Sequence, residues 1–143
     1  MTGINKVFID TAPIIYFLEN HSTYGNKMLG ILNNCLDNNI MIIISVLGCG
    51  EYLTLPYKNN NKAKIDNFKH FIDDLNIQVF DINIDIMEIA AKIRAKYNNI
   101  KMPDAIQLAT AIYSKCDIFL HNDMQIQQVD EIKTVLIDNW DII

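Results

Sequence analysis

Four carboxylates of this chain each stand alone inside an apolar stretch: Asp10, Glu51, Asp104 and Asp123. Asp10 sits in VFIDTAPIIYFL, Glu51 is the only charged residue between Met41 and Tyr57, Asp104 is the only charge in MPDAIQLATAIYS, and Asp123 closes IFLHND. A charge beside a hydrophobic core is costly unless it is paired, hydrogen-bonded or bound to a metal. Few cations lie near these four in the sequence. Together they suggest one acidic site assembled from distant segments around a divalent cation. Oxygen-only ligands favour hard ions, Mg²⁺ or Mn²⁺. Such an ion lowers the pKa of bound water and neutralises phosphoryl charge, which suits hydrolysis of a phosphodiester.

The elements that must position these acids read as strands alternating with helices. INKVFI is a strand ending at Asp10, and TAPIIYFLEN a helix with Thr11 as N-cap and Pro13 in its first turn. STYGNKMLGILNNCLDNN has Met28, Leu29, Leu32 and Leu36 at helical spacing and ends at Asn38-Asn39. MIIIS reads as a strand buried on both faces. A short helix through Glu51 follows and stops near Pro56. NKAKIDNFKHFIDDLN is an amphipathic helix with Ile65, Phe68, Phe71, Ile72 and Leu75 inward, followed by a strand, IQVFDI. Two further helices, IDIMEIAAKIRAKY and PDAIQLATAIYSKC, precede the last strands, DIFLHN and KTVLID. This alternation implies a parallel sheet with helices on both faces, within one domain over residues 1–143. All four acids then fall at or just beyond the carboxyl ends of strands, where open α/β sheets build their sites.

Bulk properties narrow the class. The net charge of −5 excludes a uniformly basic nucleic-acid clamp. Eight of the twelve Lys and Arg fall in two stretches: Lys58, Lys62, Lys64 and Lys69, then Lys92, Arg94, Lys96 and Lys101. Each reads as a solvated helix face before a phosphate-binding patch. Cys35, Cys49 and Cys116 are widely spaced and form no CxxC, so reduced thiols in a cytoplasm are expected. IMIIISVLGCG is too short to cross a bilayer, and no signal-peptide layout opens the chain, so no membrane role is expected. The abundance of Asn and Ile reads as compositional bias.

At this point the chain resembles a known family. FIDTAPIIYFLEN, ISVLGCGEYLTLP, KMPDAIQLATAI and DIFLHND look like the four signature segments of PIN-domain ribonucleases, in order and across nearly the whole chain. The size is similar to that of the VapC-like toxins of toxin–antitoxin pairs. The resemblance implies a three-layer α/β/α fold with a central, mainly parallel sheet of about five strands. It also implies a Mg²⁺- or Mn²⁺-dependent endoribonuclease with its acids at Asp10, Glu51, Asp104 and Asp123, controlled by an antitoxin protein. Many members read Thr-Asn-Asp in the fourth segment, whereas this chain has His121-Asn122-Asp123. Asp117 resembles a common structural acid of the family and is left outside the site.

Within that frame Asp10 and Asp104 are expected to hold the metal most directly. Glu51 and Asp123 complete the site by ligating a second ion or orienting water, and Thr11 and Asn122 support the carboxylates. Each acid also has a bland reading: Asp104 as a helix-terminal charge, Asn122-Asp123 as a turn, Asp10-Thr11 as a cap. Glu51, in mid-helix, caps nothing. His121 is divided between RNA contact and a hydrogen-bonded structural role, and Arg94 between phosphate and a surface salt bridge. Tyr16, Tyr52 and Tyr113 read as core. Gly48, Cys49 and Gly50 either weaken their helix or let it pack very closely. An aspartyl-phosphate phosphatase is disfavoured because Ala12 replaces its second acid, and a receiver domain because no acidic pair precedes Asp10. The remaining alternatives are a catalytically silent PIN fold that binds RNA or protein, and a PIN nuclease of RNA processing without a toxin role. Ile14 to Leu18, Met28, Leu29, Ile31, Leu32, Tyr52, Leu53 and Leu55 exceed what one buried face is expected to hold. That excess predicts a homodimer through these helices and an antitoxin segment across the groove beside them, with an Arg or Lys near Asp10 and Asp104.

Overall fold

The structure, a computed structural model, describes residues 3–142. In chain order the elements are β1 (Lys6–Ile9), α1 (Thr11–Leu18), α2 (Gly25–Asp37), β2 (Met41–Ser45), α3 (Val46–Lys58), α4 (Lys62–Asp74), β3 (Gln78–Phe80), α5 (Ile84–Lys96), α6 (Met102–Tyr113), β4 (Ile118–His121) and β5 (Lys133–Leu136). Short 3₁₀ turns cover Met124–Gln128 and Ile137–Ile142.

Side-chain alternation along the strands creates two cores. Val7 and Ile9, Ile42 and Ile44, and Ile118 and Leu120 point to one face, where they meet Ile14, Met28, Leu32, Tyr52, Phe68 and Phe71 from α1 to α4. Phe8, Ile43 and Phe119 point to the other, against Ile86, Ala90, Ile93, Leu108 and Ala109 of α5 and α6. Phe8 and Phe119 stack across the strands, with centroids 5.4 Å apart and planes inclined by 7°. The three layers are therefore α1–α4, sheet, and α5–α6, as expected. All four strand pairings are parallel.

The strand order is β3-β2-β1-β4-β5. The chain moves outward from β1 through β2 to β3, then returns to place β4 on the opposite side of β1. That reversal makes the carboxyl ends of β1 and β4 a topological switch point, where diverging connections leave a crevice. Asp10 follows β1 directly, and its backbone N–H bonds Leu120 O at 3.0 Å.

Local departures have identifiable causes. Asp10, not Thr11, occupies the N-cap position of α1, and it makes no side-chain capping bond. α3 runs past Pro56 to Lys58, because a single missing donor so near the end costs the helix little. β3 and β5 are shorter than the apolar patterns suggest. Asn20, Asn39, Asn60 and Asn76 take positive φ values just after α1 to α4. Asparagine tolerates that conformation better than other non-glycine residues, so part of its abundance is structural.

The apolar excess of the early helices is mostly internal. Ile14, Met28, Ile31, Leu32 and Tyr52 are buried, and Ile15, Tyr16, Phe17, Leu18 and Leu53 pack partly against the same core. The expectation that one face cannot hold them is corrected: α1 is buried by both the sheet and its neighbouring helices. Of the residues invoked, only Leu29 and Leu55 are exposed, at 45% and 56%.

The two glycines of α3 separate cleanly. A Cβ on Gly48 would lie 3.3 Å from both Gln107 Nε2 and Thr11 Oγ1, whereas one on Gly50 would meet nothing within 4 Å. Gly48 is thus a close approach, and Gly50 only weakens the helix. Gly50→Ala is expected to stabilise the protein by about 1 kcal/mol, raising Tm by roughly 2–4 °C. Gly48→Ala is expected to yield no such gain, because its new methyl displaces the Thr11–Gln107 pair. Paired thermal melts check this, and equal gains at both positions would contradict the assigned packing.

Candidate active site

Each acid reaches the switch point by a different route. Asp10 is carried by the end of β1, Glu51 by the second turn of α3, Asp104 by the first turn of α6 and Asp123 by the residues after β4. Their convergence is read in their electrostatics. Asp10 is buried, and its carboxyl is pushed up from 3.8 to about 7. Desolvation is the main cause, opposed by the Thr11 backbone N–H, and the charges of Asp104, Glu51 and Asp123 push it further upward. Asp104 is also held above its ordinary value, first by burial and then by Asp123 and Glu51, with Lys101 opposing. None of the ion pairs among the described residues involves any of the four carboxylates.

Glu51 is fixed by a buried chain of hydrogen bonds. Gly48 N–H donates to Ser45 Oγ at 3.3 Å, and the Ser45 hydroxyl donates to Gln107 Oε1. Gln107 Nε2 donates to Thr11 Oγ1 at 2.9 Å, and the Thr11 hydroxyl donates to Glu51 Oε1 at 2.7 Å. The Thr11 hydroxyl thus holds one oxygen of the Glu51 carboxylate. Ser45 and Gln107 were not singled out by the sequence. The available signal is that Gln107 lies three residues after Asp104, on the same face of an otherwise apolar helix.

Asp123 is held by its own turn. Its Oδ1 accepts Gln125 N–H at 2.9 Å, and its N–H donates to His121 Nδ1 at 3.0 Å. His121 is fully buried and its Nε2 bonds Gln127 Oε1 at 2.8 Å. This places His121 in the hydrogen-bonded role: a neutral imidazole that donates through Nε2 and accepts through Nδ1. Burial pushes its pKa below the ordinary value. Asn122 donates to Tyr16 Oη at 3.3 Å rather than to an acid. Arg94 Nε donates to Ile100 O at 3.1 Å, bracing the α5–α6 connection, and it forms no ion pair among the described residues. Asp117 lies at the far end of the strands, where Oδ2 accepts the N–H groups of Asn5 and Lys6. Of the basic stretches, Lys62, Lys64 and Lys96 are engaged by Asp66, Glu19 and Glu131.

The donor set is wholly oxygen, as a hard cation requires. Among the described residues, no three His, Cys, Asp or Glu side chains are arranged to hold one ion directly. A hard ion such as Mg²⁺ keeps several waters and takes only one or two carboxylates. A surface cavity of about 400 Å³, lined by residues including Lys27, Asn34, Asp138 and Trp140, contains none of the four acids.

Comparison with solved structures places this geometry. VapBC2 from Rickettsia felis, solved bound to a DNA fragment from its promoter, aligns with a TM-score of 0.74 at 15% identity, over 92% of this chain and 98% of that one. A toxin–antitoxin complex from Klebsiella pneumoniae gives 0.69 at 18% identity, over 90% and 95%. VapC20 from Mycobacterium tuberculosis, described as a sarcin–ricin loop cleaving toxin, gives 0.65 at 13% identity, over 89% and 98%. Identities this low make the likeness one of fold. No curated protein matches the chain. The family model for the PIN domain matches residues 7–132, a range that contains all four acids. By that match, which covers most of the chain, and with the parallel sheet described above, the chain belongs to the PIN-domain family.

Proposed function

We propose that this protein is a divalent-metal-dependent endoribonuclease and the toxin of a toxin–antitoxin pair. The observation that carries the reading is the convergence of four carboxylates, without an ion-paired cation, at the switch point. Such a cluster is unfavourable by itself and becomes favourable when a cation neutralises it. Asp10 and Asp104 would hold Mg²⁺ or Mn²⁺, and the ion would supply an activated water and charge neutralisation at the phosphoryl group. Glu51 keeps Oε1 occupied by Thr11, which leaves Oε2 to orient a water or a second ion. Asp123, fixed by Gln125 and His121, closes the site from the β4 side. Lys101 is the cation whose field reaches Asp104, and it is the natural contact for a backbone phosphate entering along α6.

The structural neighbours solved as toxin–antitoxin complexes support a protein antitoxin as partner. Exposed Leu55 and Tyr57 on α3 support a homodimer through this helix. No helix among the described residues is long and apolar enough to cross a membrane.

Asp10→Asn and Asp104→Asn are expected to reduce Mn²⁺-dependent RNA cleavage to background while the fold persists. Cleavage assays on purified variants with unchanged circular dichroism check this. Undiminished cleavage by a folded Asp10→Asn protein would sink the assignment.

The raised Asp10 carboxyl predicts a pH dependence. An acid with ordinary affinity unfolded and a folded pKa of about 7 binds its proton more tightly in the folded state. Its contribution to stability is full below the unfolded value and is lost as pH rises through 7. In EDTA, Asp10→Asn should therefore stabilise the protein progressively more from about pH 5 to about pH 8. Taking the difference from wild type removes the opposing titration of His121, whose pKa is lowered. Millimolar Mn²⁺ should raise the wild-type Tm at pH 8 and do so less at pH 5, since metal and proton compete for the same oxygens. A variant-minus-wild-type difference flat in pH would contradict the buried-acid reading.

Expression without the antitoxin partner should arrest growth, and Asp104→Asn should abolish the arrest. Light scattering at micromolar concentration should give a dimer mass. Harmless expression of a protein with confirmed ribonuclease activity would favour an RNA-processing role.

A further inference from the structure

We propose that Gln107, anchored by Ser45, is a positioning residue that acts through Thr11 to fix Glu51 as a hydrogen-bond acceptor at the acidic site. The inference rests on the metal-dependent reading of that site and names residues that reading does not require.

The argument is one of hydrogen-bond polarity. Ser45 and Gln107 are buried, at 0% and 2% exposure, so neither exchanges partners with solvent. The Gly48 N–H can only donate, and it occupies the Ser45 hydroxyl oxygen. The Ser45 hydroxyl donates to Gln107, whose carbonyl oxygen faces it because the amide nitrogen is turned to Thr11. With Oε1 so engaged, the amide nitrogen faces Thr11 and can only donate. Thr11 has one hydroxyl proton, and it goes to Glu51, whose carboxylate oxygen can only accept, so the Gln107 amide must be the donor to Thr11. Every group in the chain has one role, and the polarity runs from a backbone N–H to a carboxylate.

Reversing Gln107 breaks the chain at both ends. Its NH₂ would face the Ser45 oxygen, and its carbonyl would take the Thr11 proton away from Glu51. Glu51 is exposed and would otherwise rotate freely. A side chain on α6, 96 residues from Thr11, therefore ensures that one Glu51 oxygen is tied and the other is left for the ion. Gly48 belongs to the device: its missing Cβ admits both Gln107 and Thr11.

A merely structural Gln107 would fill the same space, so the test must read coupling. Mn²⁺ binding to the full-length protein is measured by electron paramagnetic resonance, alongside kcat and KM for RNA cleavage. Gln107→Leu is expected to weaken Mn²⁺ binding and lower kcat by roughly 10- to 100-fold, with KM little changed. In a Glu51→Ala background the same substitution should have no further effect, because its target is gone. Thr11→Val should reproduce Gln107→Leu, Thr11→Ser should retain near wild-type binding, and Ser45→Ala should fall between. If Gln107→Leu does not fold, the Thr11 and Ser45 variants decide alone. Equal losses with and without Glu51, or a Thr11→Val protein that binds Mn²⁺ like wild type, would overturn the proposal. A wild type that binds Mn²⁺ yet cleaves no RNA would instead defeat the ribonuclease reading, and the binding cycle would still report on Gln107.

Discussion

Asp10 is an ionisable group placed almost out of reach of water, at the end of the central strand and facing three further acids. Desolvation and like charge both act against its ionised form, and together they hold its carboxyl near neutrality. A fold accepts such a residue only if the surrounding elements are stable without it. Here they are: the strands on either side of Asp10 are buried on both faces by two separate cores. The site is a local cost carried by a sheet that gains its stability elsewhere.

Topology explains why the cost falls at this place. Had β4 joined the sheet beside β3, Asp10 and Asp123 would lie on different strands far apart. The return of the chain to the opposite side of β1 sets the two ends next to each other, and the helices leaving β1 and β2 bring Thr11 and Glu51 across the gap. α6 then lays Asp104 and Gln107 on the same face, one turn apart. Two kinds of order result. The acids are arranged by electrostatic tolerance, and the residues behind them by hydrogen-bond direction. His121 belongs to the second kind. Where a hydroxyl residue often stands, a buried imidazole ties the Asp123 backbone to Gln127, so the departure from the family pattern changes the support and leaves the carboxylate in place.

The sheet was legible because β2 and its neighbours are apolar without interruption, and only burial on both faces explains such a run. The four acids were legible for the converse reason, each being a charge without local company. Ser45 and Gln107 were not, since their partners are 62 and 96 residues away and a single Gln or Ser has no cost visible in sequence. The apolar wealth of α1 was overread as surface because helical periodicity assumes one buried face, whereas α1 meets both the sheet and other helices. Pro56 was overread as a stop because its cost depends on how many turns remain, which spacing alone does not reveal.

The strand order also governs the sequence in which the acidic crevice is completed. Synthesis delivers β1, β2 and β3 with their helices first, and these neighbours in the sheet can pair as soon as they emerge. The contact that seats β4 beside β1 joins residues as far apart as Lys6 and Asp117, 111 positions along the chain. Loop closure over such a distance is slow compared with local pairing. Asp10 and Glu51 thus sit in the part of the sheet closed by the shorter connections, while Asp123 joins it through the longest one. The crevice is thus completed by the most distant strand contact in the sheet and not by local pairing.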